Sequence, residues 1–479
     1  MEQNRREFLK AAAGVSAATL AAGCGTDRMN LVSSGGPMCG FAVPPMKEIK
    51  VGIIGVGARG SGAARRLPFI PGVRVTALCD IQPNRVDGML AWYKKNGKPD
   101  AKRYVGGPDE WKRLCDDPDV DVIYSVTPRE LHGPINVYGL LNSGKHVLQE
   151  VPGAFTIEEC WATVEAAEKA KRHCFLLENS PYGELPMLAH RLVHEGLLGD
   201  IIHVDSAYIH DQRKLQYKPN DGRFWRIKRH QTHHGNYYPT HPTGCTARYL
   251  NINHGDKFDF IVSMESMSGG FERFGRDNFP ASDWRHGAKM VKGDMNTSMI
   301  RTANGKSIML QHCVSMPHPY DRINQVWGTL GVFRQFPDYK VVFEEKAGSG
   351  NTHGYFPDEK AEEIRKKYMN PMWKKAGALA KTVGGHGGTD YIMDLRWAYC
   401  LQNGLPLDTN VYDLASWSAI VELSERSVNA GSRPMEFPDF TRGAWKTTPA
   451  FGIPDVDLAK VGDGKFGNLI DIKADDQLT

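Results

Sequence analysis

Ile49-Lys50-Val51-Gly52-Ile53-Ile54-Gly55-Val56-Gly57-Ala58-Arg59-Gly60 is an apolar run that ends in the spacing G-x-G-x-x-G. The run has the length and β-branched content of a buried strand. Gly55 permits a tight strand-to-helix turn, Gly57 lets a pyrophosphate approach the backbone, and Gly60 lets the next helix pack closely on the sheet. Phosphates seated there meet unpaired N–H groups and the positive end of the helix dipole. Glycine-rich turns also occur in unrelated α/β proteins, so the context decides. A second apolar run, Val73 to Cys79, ends in Asp80. A carboxylate at that distance accepts ribose hydroxyls and repels a 2′-phosphate, so the expected cofactor is NAD rather than NADP.

Outward from this motif, residues 47–178 alternate short β-branched runs with helical segments, the pattern of a parallel sheet. Strands are expected at Val120 to Val126, Gly144 to Glu150 and Cys174 to Glu178, with helices at His132 to Asn142 and Trp161 to Lys171. Past Asn179 the composition shifts toward Tyr, His, Trp and Gly. Extended runs at Ile201 to Ile209, Phe258 to Met267, Thr297 to Thr302 and Ser307 to Val314 suit an open sheet. Asp408 to Ser427 reads as an amphipathic helix packing back on the body, and the lysine-rich stretch Pro357 to Lys381 as surface helix and loop. The expected class is α/β. An N-terminal Rossmann dinucleotide-binding domain (47–178) is followed by a substrate-binding α+β domain (179–479) with a large open, mostly antiparallel sheet.

Residues 1–46 stand apart. Arg5-Arg6 followed by Phe8-Leu9-Lys10 and a short alanine-rich apolar run resembles a twin-arginine export signal. The run is too short for a stable membrane span. Cys24 after Leu20-Ala21-Ala22-Gly23 is a candidate lipid-attachment site; cleavage between about Ala22 and Phe41 without lipidation is the alternative. The Gly, Ser and Pro that follow suit a tether. The expected location is the periplasm or the envelope surface, reached by a route that carries folded proteins. NAD would then be loaded before export and restored within each turnover, which points away from a net redox reaction.

At 479 residues and 41% apolar, the chain can bury the core of two domains. A formal charge of +4 offers no electrostatic case for nucleic acid. Nine cysteines without a C-x-x-C pair make neither a disulfide framework nor a zinc site. His230, His233, His234 and His241 have no nearby cysteine partner, so solvated or ligand-facing histidines are expected and no metal.

The run Val120-Asp121-Val122-Ile123-Tyr124-Ser125-Val126-Thr127-Pro128-Arg129-Glu130-Leu131-His132, followed by Gly144-Lys145-His146-Val147-Leu148-Gln149-Glu150-Val151-Pro152, resembles the Gfo/Idh/MocA oxidoreductases. The similarity extends from Lys47 to about Ala430. Most members of that family carry Glu-Lys-Pro where this chain has Glu150-Val151-Pro152, with the lysine near the hydride-transfer centre. Its absence argues against a simple dehydrogenase. Gly235-Asn236-Tyr237-Tyr238-Pro239-Thr240-His241, taken with Glu-Val-Pro and the export signal, looks like glycoside hydrolase family 109.

That resemblance implies an NAD-dependent α-N-acetylgalactosaminidase working by oxidation, elimination, addition and reduction rather than with two carboxylates. It implies cofactor contacts at Arg59, Gly60, Asp80, Arg129, His132, Glu150, Val151 and Asn179, and sugar contacts at Tyr208, Arg226, Tyr238 and Tyr320. His241 is the first choice for the catalytic acid–base, because imidazole titrates near the working pH, and Tyr238 would bind sugar or assist proton transfer. The bland alternatives are a structural histidine and core aromatics. At the level of the whole protein, the alternatives are a periplasmic sugar or polyol dehydrogenase and a non-catalytic binding lipoprotein. The expected partner is a glycan, and a homo-oligomer is compatible with the family.

Overall fold

The computed structural model describes residues 38–218 and 224–469, so the twin-arginine segment and Cys24 lie outside the described residues. β1 (Ile49–Ile54) is buried along nearly its whole length, as a strand covered on both faces must be. With β2 (Val73–Cys79), β3 (Lys102–Tyr104), β4 (Val122–Ser125), β5 (His146–Gln149) and β6 (Cys174–Leu176) it forms a parallel sheet. The order β3-β2-β1-β4-β5-β6 reverses between β1 and β4. Ligands of doubly wound sheets collect in the crevice at the strand ends there. α1 (Ala58–Arg66) and α2 (Pro83–Lys95) follow β1 and β2, while α3 (Ile157–Ala170) opens on a capping box between Thr156 and Glu159.

The second sheet contains β7 (Ile201–Ile209), β8 (Phe258–Glu265), β9 (Asn296–Thr302), β10 (Ser307–Cys313), β11 (Gln325–Gly328), β12 (Gly331–Arg334), β13 (Lys340–Phe343) and β14 (Met435–Glu436). Its order is β13-β12-β11-β7-β10-β9-β8-β14, with β7 and β10 parallel and the other neighbours antiparallel. Alternation along the strands turns Val204, Ser206 and Tyr208 of β7 to the buried face. α4 (Thr240–Leu250) crosses this face and is buried along its full length.

One expectation fails. Pro357 to Lys381 is more than surface helix and loop. Within it, α5 (Pro371–Val383) buries Met372, Trp373, Ala376 and Ala380. Together with α6 (Thr389–Asn403) it packs against Val51, Leu78 and Leu148 of the first sheet. The intervening lysines face outward, and helical spacing gathers the apolar residues on one side. The first layer is therefore completed by a late stretch of chain. α7 (Val411–Asn429), capped by Asn410, packs against both α3 and β8.

Candidate active site

The turn after β1 shows three glycines with three different demands. Gly55 has φ +94°, and a side chain there would meet the Val126 carbonyl at 2.7 Å. At Gly60 a Cβ would lie 1.7 Å from the Gly55 carbonyl oxygen. Gly57 is different: the nearest atom to an added Cβ is Arg85 Nη1 at 3.6 Å. The protein's own packing demands glycine at Gly55 and Gly60, while Gly57 leaves open space. No side chain caps the start of α1, so its first N–H groups point into that space. Asp80 is buried beside it, with Oδ2 accepting the Val56 N–H at 2.8 Å and Oδ1 the Gln82 N–H at 2.9 Å. An open backbone cradle at a helix start, bordered by a fixed carboxylate, fits a dinucleotide.

Arg59 leaves this turn toward Glu150 (2.6 Å) and Asp390 (2.8 Å), and Asn179 Nδ2 donates to Asp390 at 2.6 Å. Three residues assigned to the cofactor by resemblance are thus tied together, through an α6 carboxylate that the sequence did not single out. Burial pushes Asp390 up, but Arg59 and Arg66 outweigh it and hold the carboxyl well below its ordinary range. Asp390 also accepts from His386 Nδ1 at 3.0 Å. His386 sits in Gly384-Gly385-His386-Gly387-Gly388, whose five residues have φ of +90°, +85°, +49°, +67° and +96°. Glycine tolerates that path and a β-branched residue does not. The His386 side chain is 58% exposed, making it an accessible imidazole beside the glycine turn.

Two of the residues assigned by resemblance do not present side chains here. His132 is fully buried, its Nδ1 2.6 Å from the Pro152 carbonyl and its Nε2 3.1 Å from that of Thr127. Burial lowers it to about 4 against the pull of both carbonyls. The ring pins two backbone segments together. Val151 is buried among apolar side chains and carries no titratable group.

The residues assigned to the sugar by resemblance are gathered around α4. His241 lies in the first turn of this helix, which Pro239 precedes as the capping residue. Its Nδ1 is 2.6 Å from Oε1 of Glu178, just beyond β6, and that oxygen also accepts the Ser180 N–H at 2.9 Å. Burial pushes Glu178 up, yet His241 and Ser180 hold it down at about 2. Burial lowers His241, and Glu178 opposes without reversing the shift. At neutral pH the pair is therefore a carboxylate and a neutral imidazole. Nδ1–H is donated to Glu178, and the Nε2 lone pair remains available.

Aromatic rings surround this imidazole. Tyr208 lies 4.8 Å from Tyr238 and 5.4 Å from His241, and Tyr238 lies 4.9 Å from His241. Tyr320 meets Tyr208 edge-on at 6.2 Å, and its hydroxyl accepts from Arg322. Gln212 joins the group by donating to the Tyr208 hydroxyl (3.1 Å) and accepting from Arg226 (3.2 Å). Arg226 lies 5.3 Å from the Tyr238 ring and Arg129 4.5 Å. Arg129 Nη1 also donates to the Tyr237 carbonyl at 3.1 Å, which ties the first domain to the Tyr237–Tyr238 turn. Burial, with Arg226 beside it, lowers Arg129 to about 9, still a cation at neutral pH.

His230 and His234 diverge, to Tyr237 and Glu265 respectively, and among the described residues no group of metal-ligating side chains is gathered. Glu150 links the two ends: it holds Arg59, and its charge is felt by Tyr238 and His241.

A dinucleotide cradle on a doubly wound parallel sheet, with a cluster of tyrosines, arginines and a histidine–carboxylate pair joined to it through Glu150, defines an NAD-binding protein of the Rossmann class. More particularly, the chain belongs to glycosyl hydrolase family 109. Residues 182–447 match the C-terminal domain of that family, and residues 49–177 match the NAD-binding Rossmann fold of the oxidoreductase family resembled at the outset. It is 40% identical over 464 residues to a glycosyl hydrolase family 109 protein of Shewanella pealeana, covering 95% of this chain and 99% of the relative. It is 38% identical over 459 residues to an α-N-acetylgalactosaminidase of Shewanella oneidensis, covering 94% and 98%. In fold it is similar to the scyllo-inositol dehydrogenase of Lactobacillus casei with bound NAD(H) and scyllo-inositol: TM-score 0.57 at 16% identity, covering 81% of this chain and 99% of that one. The protein is a glycoside hydrolase with an NAD-binding domain.

Proposed function

We propose that the protein removes terminal α-linked N-acetylgalactosamine, or a closely related α-glycoside, with NAD retained through turnover. The carrying observation is the 2.6 Å contact between His241 Nδ1 and Glu178, in a chain whose glycine turn fits a dinucleotide and whose position 151 is an aliphatic Val151. NAD, which the Gly55 to Gly60 turn and Asp80 would hold, would supply a reversible hydride acceptor for C3 of the sugar, so that hydrolysis would proceed with no net redox change and with exchange at C2.

The chain's own residues manage binding and protons. Glu178 fixes the tautomer of His241, leaving Nε2 to take the proton of a sugar hydroxyl and give it back. Tyr208, Tyr238 and Tyr320 offer faces and hydroxyls to a ring, and Arg226 offers forked donors to a hydroxyl or an acetamido oxygen. The same rings exclude water around His241, which strengthens each of these polar contacts.

The test uses the purified chain with no added cofactor, an aryl α-N-acetylgalactosaminide and heavy water. Release of the aryl group with deuterium at C2 of the product supports the cycle. Cleavage without exchange overturns it, and stoichiometric NADH accumulation would return the protein to the dehydrogenases.

We further propose export by the twin-arginine route and lipid attachment at Cys24. Arg5-Arg6 and the Leu20 to Cys24 element support this. Metabolic labelling with a clickable fatty acid, lost in Cys24→Ser, would test the anchor, and an unlabelled parent chain would refute it.

A further inference from the structure

Gln212 stands just beyond β7, outside the residues implied by resemblance, and is buried at 3% exposure. Its amide meets four partners. Nε2 lies 3.1 Å from the Tyr208 hydroxyl and 2.7 Å from His210 Nε2. Oε1 lies 3.2 Å from Arg226 Nη1 and 2.9 Å from Gln216 Nε2. Arg226 decides which way round the amide sits. A guanidinium donates and never accepts, so the Gln212 carbonyl must face it and the NH2 group must face Tyr208 and His210. Burial, with Arg226 beside it, lowers His210 to about 4, so the ring is neutral at neutral pH and can accept at Nε2. The consequence falls on Tyr208. Its hydroxyl accepts from Gln212, and among the described residues no group accepts its proton.

We propose that Gln212 is a positioning residue that sets sugar selectivity: it holds Tyr208 and Arg226 as a pair of donors, so that a carbonyl-bearing substituent such as an acetamido group is taken in preference to a hydroxyl on the same carbon. Both residues are bonded to one amide, whose two polar atoms share a carbon. A carbonyl oxygen has two lone pairs for two donors and no proton to place. A hydroxyl brings a proton that needs an acceptor, and neither Tyr208 in this orientation nor Arg226 supplies one. A polar group buried without its partner is what a site of this kind discriminates against.

This inference rests on the glycosidase reading above, and the experiment separates the two. The full chain is assayed on an aryl α-N-acetylgalactosaminide and an aryl α-galactoside, and titrated calorimetrically with N-acetylgalactosamine and with galactose. The parent should favour the N-acetyl sugar in both measurements. Gln212→Glu keeps the shape and the contact to Arg226 but accepts at both oxygens, so Tyr208 turns its proton to residue 212 and offers lone pairs to the sugar. KM for the N-acetyl substrate should then rise by about tenfold with kcat little changed, as when one hydrogen bond is lost from uniform binding. The galactoside should be affected far less, because its hydroxyl can donate to Tyr208. Gln212→Met removes the polar tip at similar length and should erase the preference too; if a thermal melt shows that variant unfolded, the near-isosteric Gln212→Glu still decides. Equal losses on the two sugars in a folded variant, or a parent without preference, would overturn the role of Gln212. Release of neither aryl group by the parent would overturn the proposed reaction instead, and the sugar titrations would still test Gln212.

Discussion

The two halves of the proposed site are built in opposite ways. At the cofactor end, three glycines within six residues create a space, and what matters is where side chains are missing. At the proposed sugar end, Glu178, Tyr208, Arg226 and the Tyr238–His241 pair come from separate parts of the chain, and what matters is which polar atom meets which. His241 and Glu178 are 63 positions apart in sequence yet meet at 2.6 Å. Substitutions at the first end should therefore act through volume. At the second end they should act through lost partners, leaving the fold largely as it was.

Gly60→Ala should give the largest effect. Its Cβ would lie 1.7 Å from a carbonyl oxygen inside the strand–helix junction, with no flexible group to give way. Overpacking a core commonly costs about 1–3 kcal/mol, and a backbone collision of this kind should exceed that. The expected outcome is loss of soluble protein, or a thermal midpoint too low to measure; a normal melt would break the contrast at once. His241→Ala comes next and should leave the melt and NAD retention near those of the parent. Glycosidase kcat should fall by about 10²- to 10⁴-fold, the usual contribution of a positioned acid–base. A fall of only a few-fold would move the chemistry elsewhere in the site, and His386 would be the imidazole to examine.

Glu178→Gln should be milder and carries a signature in pH. The base form of His241 is needed, so kcat/KM falls as pH drops through its pKa. That pKa lies below the ordinary imidazole value, because burial outweighs the pull of Glu178. Glutamine removes the pull, so the acid limb should move to still lower pH while the plateau falls by about 10²-fold. Glu178 is held down at about 2 and should add no limb of its own above that range. An acid limb that moves upward would mean that His241 does not act as the base.

How much of this was legible follows from the same contrast. β1, β2, the three glycine roles and Asp80 could be read because each depends on neighbours within one strand–turn–helix unit. β7 was readable from Ile201 to Ile209 for a similar reason: its alternation is local. Tyr238 and His241 came from a compact motif, although the helix that carries His241 did not, because its motif names residues and not a periodicity. Glu178 was read only as the end of a strand, since nothing in the sequence says what it faces. Asp390 bonds to Asn179 across 211 positions, and no periodicity announces such a pair. The Gly384 to Gly388 string was visible, but its place beside Arg59 required the fold. The buried side of α5 was hidden by its lysines, which dominate composition without dominating the helix face that packs.

Gly57→Ala should have the smallest effect and puts the sharpest question to the comparison. The nearest atom to its new methyl group is the flexible tip of Arg85 at 3.6 Å, an ordinary contact. The folded protein should therefore melt within a few degrees of the parent, in contrast to Gly60→Ala three positions later. The methyl group nonetheless occupies the side from which a pyrophosphate reaches the backbone. NAD affinity should drop by about tenfold, close to the cost of one good hydrogen bond, and calorimetry would read it directly. A stable variant with weakened NAD binding would show that one glycine serves the ligand while its neighbours serve the fold. Equal loss of stability at Gly57 and Gly60 would instead make the whole turn a packing device and remove the structural case for a cradle.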